Sequence, residues 1–484
     1  MPLILPGNVA SATAVATYSI DNSCRWNDGD TPHMYKSFGT PTDGKKYTFS
    51  CWLKIGTPAP TSGTKHLWYF SESSTQTEGL QIETNGSLTH FFKLDDVITY
   101  SYTNRRLRDP SAWYHIVLAI DYSQSTDTNR VKLYINGVLQ TSLQTGTYAA
   151  QNTLTKINKS GNSPAIGVTW NGSSAADAFD GYIAEVFFID GLQYAASDFG
   201  EYDEDSPTIW IPKDCSDDLT FGNNGFWLDF EASDNLGNDA NGGTDLTEGN
   251  LDATDQCTDT PTNNFCTMNP LDNYFQEHVY SEGNTEVLTD SANYSFSTGT
   301  VGLTAGKWYW EIEYHATSAA VNADIGIVAS IATSATNYLG QSTDAAAYSS
   351  RLGEVRKADS DTSGYGDTYA AGDIIGVALD LTNSKLYFAK NGTWQNSGDP
   401  TSGATGTGAI ALTAVGSTAN GAYFPAVGDD SGDKTSTFRC IFGGSYADSL
   451  SSAVADANGY GAFEYAPPSG YLAICTKNLG SDGG

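Results

Sequence analysis

Breaking a glycosidic bond needs two carboxylates flanking it. The stretch EYDED comes nearest to supplying them, since Glu201, Asp203 and Asp205 share one face if it is extended. It sits just before Pro207 and ends in Asp rather than a second Glu, so a solvated acidic loop is the simpler reading. Nucleophilic catalysis has less to work with. The six histidines, His33, His66, His90, His115, His278 and His315, lie in unrelated stretches, and no GxSxG elbow occurs. His115, beside Trp113 and Tyr114 in a strand-like run, reads as a packed imidazole. There is no Walker loop and no dinucleotide fingerprint. The chain is therefore expected to bind rather than to catalyse.

Binding through sandwich loops uses aromatic platforms beside polar neighbours, because sugars and peptides are held by ring stacking plus oriented hydrogen bonds. Two loops offer such sets. VTWNGSSAADAFDG places Trp170 and Asn171 in a polar loop with Asp177 and Asp180 nearby, and RKADSDTSGYGD gathers Arg356, Asp359, Asp361 and Tyr365. Asp234, Asn238 and Asp239 carry hard oxygen ligands of the kind Ca²⁺ takes, but without EF-hand order, so turn chemistry explains them more simply. Ca²⁺ is the one cofactor left to consider, with no ligand set recognisable by spacing.

The elements that must position these loops read as strands. YTFSCWLKI alternates Phe49, Cys51 and Leu53 against Ser50, Trp52 and Lys54, a strand with one buried face. WYHIVLAID and RVKLYINGV follow, the second ending in an Asn-Gly turn, and FDGYIAEVFFIDG closes the set. Further on, GKWYWEIEY alternates Trp308, Trp310 and Ile312 with Tyr309, Glu311 and Glu313, which places both glutamates toward solvent or a partner. The run YGDTYAAGDIIGVALDLTNSKLYFAKNGTW repeats the earlier pattern: an apolar strand ends in Asp, a polar turn follows, and a second strand exits through Asn-Gly. Asp121 and Asp380 read as turn formers.

Bulk properties agree with an all-β chain of several domains. The 484 residues include 50 glycines and 12% aromatics, which suits many short strands joined by tight turns. The formal net charge of -32 disfavours nucleic acid and anionic lipid as partners. No apolar run reaches membrane-spanning length, and MPLILPGNVA lacks the basic start of a secretory signal. The seven cysteines (24, 51, 215, 257, 266, 440, 475) form no CxxC, and folding with free thiols is expected, although Cys257 and Cys266 are close enough in sequence to consider as a bridge.

The residues also carry family resemblances. YTFSCWLK, then WYHIVLAIDYS…NRVKLYINGVLQ, then FDGYIAEVFFIDG, in that order, resemble a laminin-G or pentraxin-type concanavalin A-like jelly roll. GKWYWEIEY, ADIGIVAS, the Tyr365–Trp394 run and YFPAVGDD resemble a SPRY domain. Both resemblances imply two-sheet antiparallel sandwiches. The expected layout is an extended docking segment at 1–17, a jelly roll at 18–212, an Asp/Asn/Gly/Thr-rich connector at 213–275, a SPRY domain at 276–446 and a tail at 447–484. The flanking pieces MPLILPGNVA, TDTPTNNFCTMNPLDN and FEYAPPSGYLAICTKNL resemble those of phage virion proteins. That resemblance implies a tail fibre, head fibre or decoration protein on the virion surface. Its partners would be other virion proteins and a host cell-surface glycan or protein, and it would form a symmetric homo-oligomer, trimer first, with no coiled-coil heptad to build it. The alternatives are a polysaccharide-degrading glycoside hydrolase and a SPRY-based adaptor.

Overall fold

The computed structural model describes residues 18–57, 63–273, 275, 277–290, 292, 294–318, 323–430, 434–446 and 448–482, so the expected docking segment lies outside the described residues. The chain is nearly all β and divides into two compact units that meet in sequence between Thr262 and Asn263. The 213–275 stretch is thus shared out. Phe226–Leu228 and Gln256–Cys257 extend one sheet of the first unit and Thr247–Gly249 the other, while Phe265, Cys266 and Met268 enter cores of the second. Cys257 and Cys266 fall in different units, and all seven cysteines are buried free thiols, which corrects the idea of a bridge between those two. Burial pushes the thiols of Cys215 and Cys475 up to about 12.

In the first unit the central strand Lys46–Ile55 pairs antiparallel with Trp113–Asp121 on one side and Gly181–Asp190 on the other. The second sheet runs, in spatial order, through Leu143–Gly146, Val97–Arg106, Ser87–Leu94, Gln76–Ile82, Lys65–Ser73, Ala165–Ile166, His33–Tyr35 and Thr247–Gly249. Between the sheets the apolar alternates interlock, with Phe49 stacked on Trp68 at 5.3 Å. Each such ring contributes roughly 1.5–3 kcal/mol of burial.

The central strand is buried on both faces rather than one. Trp52 is buried in an outer-face cluster with Ile20, Trp113, Tyr182 and Cys257, and Lys54 is buried beneath Asp259, which accepts from Lys54 Nζ at 2.7 Å and Trp113 Nε1 at 3.1 Å. A buried ammonium needs such a partner, and this is where the Asp-rich stretch supplies it.

In the second unit Lys307–Thr317 is flanked by Ile374–Asp380 and Ser436–Ile441. The smaller sheet runs Ser295–Thr298, Phe424–Asp429, Ala323–Val328, Ala345–Ser349, Val355–Lys357, Ser360–Thr362. Trp308, Trp310 and Ile312 face the core as expected. Glu311 does not face solvent: residues 463–475 cover it, and its carboxylate accepts from Tyr309 Oη (2.7 Å) and the backbone N–H groups of Glu464 and Tyr465 (both 2.8 Å). Burial nonetheless pushes its pKa up to about 7, against the lowering pull of those donors. The start and end of this unit also zip together. Cys266 N–H donates to Ile474 O at 3.0 Å and Thr476 N–H to Asn264 O at 2.9 Å.

Candidate functional site

Two places gather side chains capable of recognition, one in each unit. On the outer face of the first unit's second sheet, backbone register aligns Tyr35, Ala165, Tyr69, Gly79, Phe91 and Tyr100 in a single row across six strands. The alternation that sends Trp68, Phe70, Leu80, Leu88 and Phe92 inward sends these outward. The four aromatics are half-buried, and Gln81 and Tyr102 flank them, half-buried as well. Gly79 is what lets the rings approach: a Cβ there would lie 2.8 Å from Tyr69 and 2.9 Å from Phe91, whose centroids are 5.9 Å apart. At one end of the row Trp170 packs on Tyr35 and His33, 4.9 Å from each.

Trp170 is consequently not an open-loop platform. It begins a short hairpin, Thr169–Trp170 against Ala175–Ala176, and its side chain is only 6% exposed because it backs the aromatic row. Asn171 is exposed but its Oδ1 closes the hairpin turn, accepting from the N–H groups of Ser173 (3.0 Å) and Ser174 (2.9 Å). Asp177 is exposed, with φ of 49°. Asp180 holds the backbone at the end of the central strand, accepting from Thr57 N–H at 3.1 Å. The row itself was hidden in the sequence, since it is made by pairing between strands rather than by any one motif.

In the second unit three of the four expected residues do come together. A cavity of about 210 Å³ is lined by Tyr294, Tyr338, Arg356, Asp359, Asp361 and Asp430, among others. Arg356 and Asp361 are cross-strand partners, and the turn between their strands has positive φ at Ala358 (53°) and Asp359 (58°). The Arg356 guanidinium reaches Asp430 at 2.6 Å, Asp324 at 3.2 Å and Asp361 at 3.4 Å. Burial opposes its charge, but Asp324 and Asp430 beside it hold its pKa above the usual arginine value. Tyr365 is excluded from this group: it is buried in the core, and its hydroxyl accepts from Phe388 N–H at 3.2 Å.

The carboxylates considered for hydrolysis belong to a hairpin, Gly200–Tyr202 against Trp210–Pro212. Asp203 is buried and accepts from the N–H groups of Asp205 and Ser206, while Glu201 and Asp205 are exposed. Ser50 and His115 lie 2.9 Å apart, but Trp210 Nε1 donates to His115 Nδ1 at 3.0 Å. The proton therefore sits on Nε2 and points at Ser50 Oγ, the reverse of base activation. Burial lowers this imidazole's pKa to about 3 and keeps it neutral. Asp239, one of the residues weighed for calcium, is spent on Lys36 at 3.0 Å and on the Trp227 N–H at 3.0 Å. Among the described residues Glu313, His315 and Asp448 bring ligand atoms within 4.8 Å of one another, but Tyr446 donates to Glu313 and Arg439 lies on Asp448. Among the same residues no helix is long and apolar enough to cross a membrane.

Sequence comparison finds two domains. Residues 28–192 match the family described as the concanavalin A-like lectin/glucanases superfamily, and residues 307–437 match the SPRY domain. The first unit thus contains a concanavalin A-like jelly roll and the second a SPRY domain. No curated protein matches the chain. Among solved structures, the chain is similar to a putative carbohydrate binding protein from Bacteroides ovatus, at 13% identity over 48% of this chain and 59% of that one, with a TM-score of 0.32. It is similar to the SPRY domain of human HERC1 at 14% identity over 36% and 96% of the two chains, TM-score 0.29. A SAP-like pentraxin from Limulus polyphemus gives 15% identity, 36% and 77%, and 0.25.

Proposed function

We propose that this chain is a non-enzymatic adhesion protein of the phage virion surface, and that its jelly roll holds a surface glycan against the Tyr35–Tyr69–Phe91–Tyr100 row. The row is the observation that carries the reading. Partly exposed rings in one row on a sheet face present apolar area to the C–H faces of sugar rings, and Gln81 and the Tyr hydroxyls supply directional hydrogen bonds at its edges. One such site binds weakly, and repetition on a particle turns weak sites into attachment. The virion assignment rests on the resemblance of the flanking segments. Parts of two of them, 264–266 and 474–476, pair with each other within the SPRY unit.

Full-length protein on an array of bacterial surface polysaccharides tests the binding half. Retention of at least one polysaccharide, lost about tenfold or more in Tyr69→Ala and Tyr100→Ala, is expected. No retention above background, or equal retention by both variants, overturns it. Release of reducing ends from a retained polysaccharide would replace adhesion by hydrolysis, with Glu201→Gln as the variant to examine. Immunogold labelling of intact particles with antibody to the SPRY unit tests the location, and bare particles in a lysate rich in soluble protein would remove it.

A further inference from the structure

The aromatic row of the first unit is long and its surroundings hold little positive charge. From Tyr35 to Tyr100 the register crosses six strands, a span of about 24 Å at ordinary strand spacing. A ligand must be several sugar rings long to meet Tyr35, Tyr69, Phe91 and Tyr100 together. On one side of the row Thr77, Lys93 and Ile98 lie in register, and on the other Gln81, Thr89 and Tyr102. Lys93 is the one charge among those six, and it is answered by Asp96 at 3.1 Å and the Ser74 carbonyl at 2.6 Å. Along the strand that carries Tyr100, the next cations are Arg105 and Arg106, about 17–20 Å away. Two carboxylates stand beside the row instead. The Asp177 carbonyl accepts from His66 N–H at 3.3 Å, and the His66 ring meets Tyr69 edge-on at 4.9 Å and Phe91 at 6.5 Å. Burial raises the pKa of the Tyr69 phenol, and the Asp177 charge adds to the rise. Asp177 is exposed, and its carboxylate has no partner among the described residues. Glu83 lies next to Gln81, accepting from its Nε2 at 2.8 Å.

Resting on the glycan reading of the row, we infer that it takes the interior of a neutral polysaccharide chain, several sugar residues at a time, and that Asp177 accepts hydroxyl hydrogens from the sugar over Tyr69. Uronate, sulfate or phosphate groups would meet two carboxylates and the field of a chain with net charge -32. In the flanking rows they would find only Lys93, whose ammonium is already engaged. Neutral rings lose nothing to that field. Their C–H faces cover the aromatics, and their hydroxyls donate to an ionised carboxylate in charge-assisted bonds. Rings spread along a strip also reward length, since each added sugar reaches further along the row until it is filled.

Affinity electrophoresis of the full-length protein is the first test, through gels holding dextran, mannan, galactan, laminarin, alginate, polygalacturonate or hyaluronan. Calorimetry follows, with the disaccharide and hexasaccharide of whichever chain retards the protein. A neutral chain should retard it and the three acidic chains should not. The hexasaccharide should bind about tenfold or more tighter than the disaccharide, and Asp177→Asn should weaken it about fivefold. Asparagine tolerates the positive φ of 49° at this position, so the variant should keep the wild-type thermal midpoint, which is measured alongside. Retardation by an acidic chain that Tyr69→Ala abolishes would keep the row as the glycan site and overturn the neutral class. A disaccharide as tight as the hexasaccharide would overturn recognition of the chain interior, and unchanged affinity in Asp177→Asn the role of that carboxylate. Retardation by no chain, or equal retardation of Tyr69→Ala, would remove the glycan reading of the row and the neutral class with it.

Discussion

The hairpin Trp113–Asp121/Val131–Ile135 of the jelly roll and the hairpin Ile374–Asp380/Lys385–Lys390 of the SPRY unit share their fine chemistry. In each, the first strand ends in an aspartate whose carboxylate closes the turn: Asp121 accepts from Ser123 N–H at 2.9 Å and Asp380 from Asn383 N–H at 3.0 Å. A cross-strand lysine meets each, Lys46 on Asp121 at 3.9 Å and Lys307 on Asp380 at 3.1 Å. In each, the second strand exits through an Asn-Gly pair at positive φ, 48° and 75° for Asn136-Gly137 and 46° and 76° for Asn391-Gly392. The asparagine Oδ1 then accepts from the neighbouring strand, from His115 N–H at 2.8 Å and Ile374 N–H at 2.9 Å. What differs is the cover on the outer face. Over the first hairpin's sheet lies a stretch fixed by a buried ion pair; over the second's lies a tail fixed by backbone N–H groups on Glu311. Shared hairpins set the framework, and the covers and loops make each unit particular.

The largest effect should come from removing a cover's anchor. Asp259→Ala removes the carboxylate that the buried Lys54 Nζ meets at 2.7 Å, and loss of about 3–5 kcal/mol from the first unit is expected in denaturant unfolding, with the second unit's transition unmoved. A single shared loss in both transitions would erase the distinction between the covers. The second unit should instead respond to pH. Its Glu311 pKa is raised from 4.5 to about 7, so the folded unit holds a proton the unfolded chain releases. That contribution is complete below about pH 4.5 and fades as pH rises through 7, by up to about 3 kcal/mol. Thermal melts from pH 4.5 to 8 should show it, and Glu311→Gln should flatten the profile.

Next in size, Asn136→Ala and Asn391→Ala should each cost about 2 kcal/mol, because alanine resists positive φ and a hydrogen bond is lost. Unequal costs would show that the two turns are alike only in outline. Smallest, Lys46→Ala and Lys307→Ala should each cost under about 1 kcal/mol, since both lysines are partly exposed. A cost above 2 kcal/mol at either would mark that pair as structural.

Sequence patterns made the strands and both hairpins legible, because period-two alternation and Asn-Gly turns are local signals. The covers were not legible. Asp259, Glu464 and Tyr465 act on strands more than 140 residues away, and nothing near them in sequence says so. The same reason hid the aromatic row, which exists only when six strands are in register. The nearness of Arg356, Asp359 and Asp361 follows from a single hairpin, a local signal, whereas Tyr365 continues past that hairpin into the core.

The buried thiols have a practical consequence. Cys24, Cys51, Cys215 and Cys257 belong to the first unit, and Cys266, Cys440 and Cys475 to the second. A thiol reagent meets none of them until a unit opens, so its uptake counts opening events rather than surface chemistry. Peptide mapping of the modified positions would time the breathing of each sandwich separately, in the intact protein and without any introduced label.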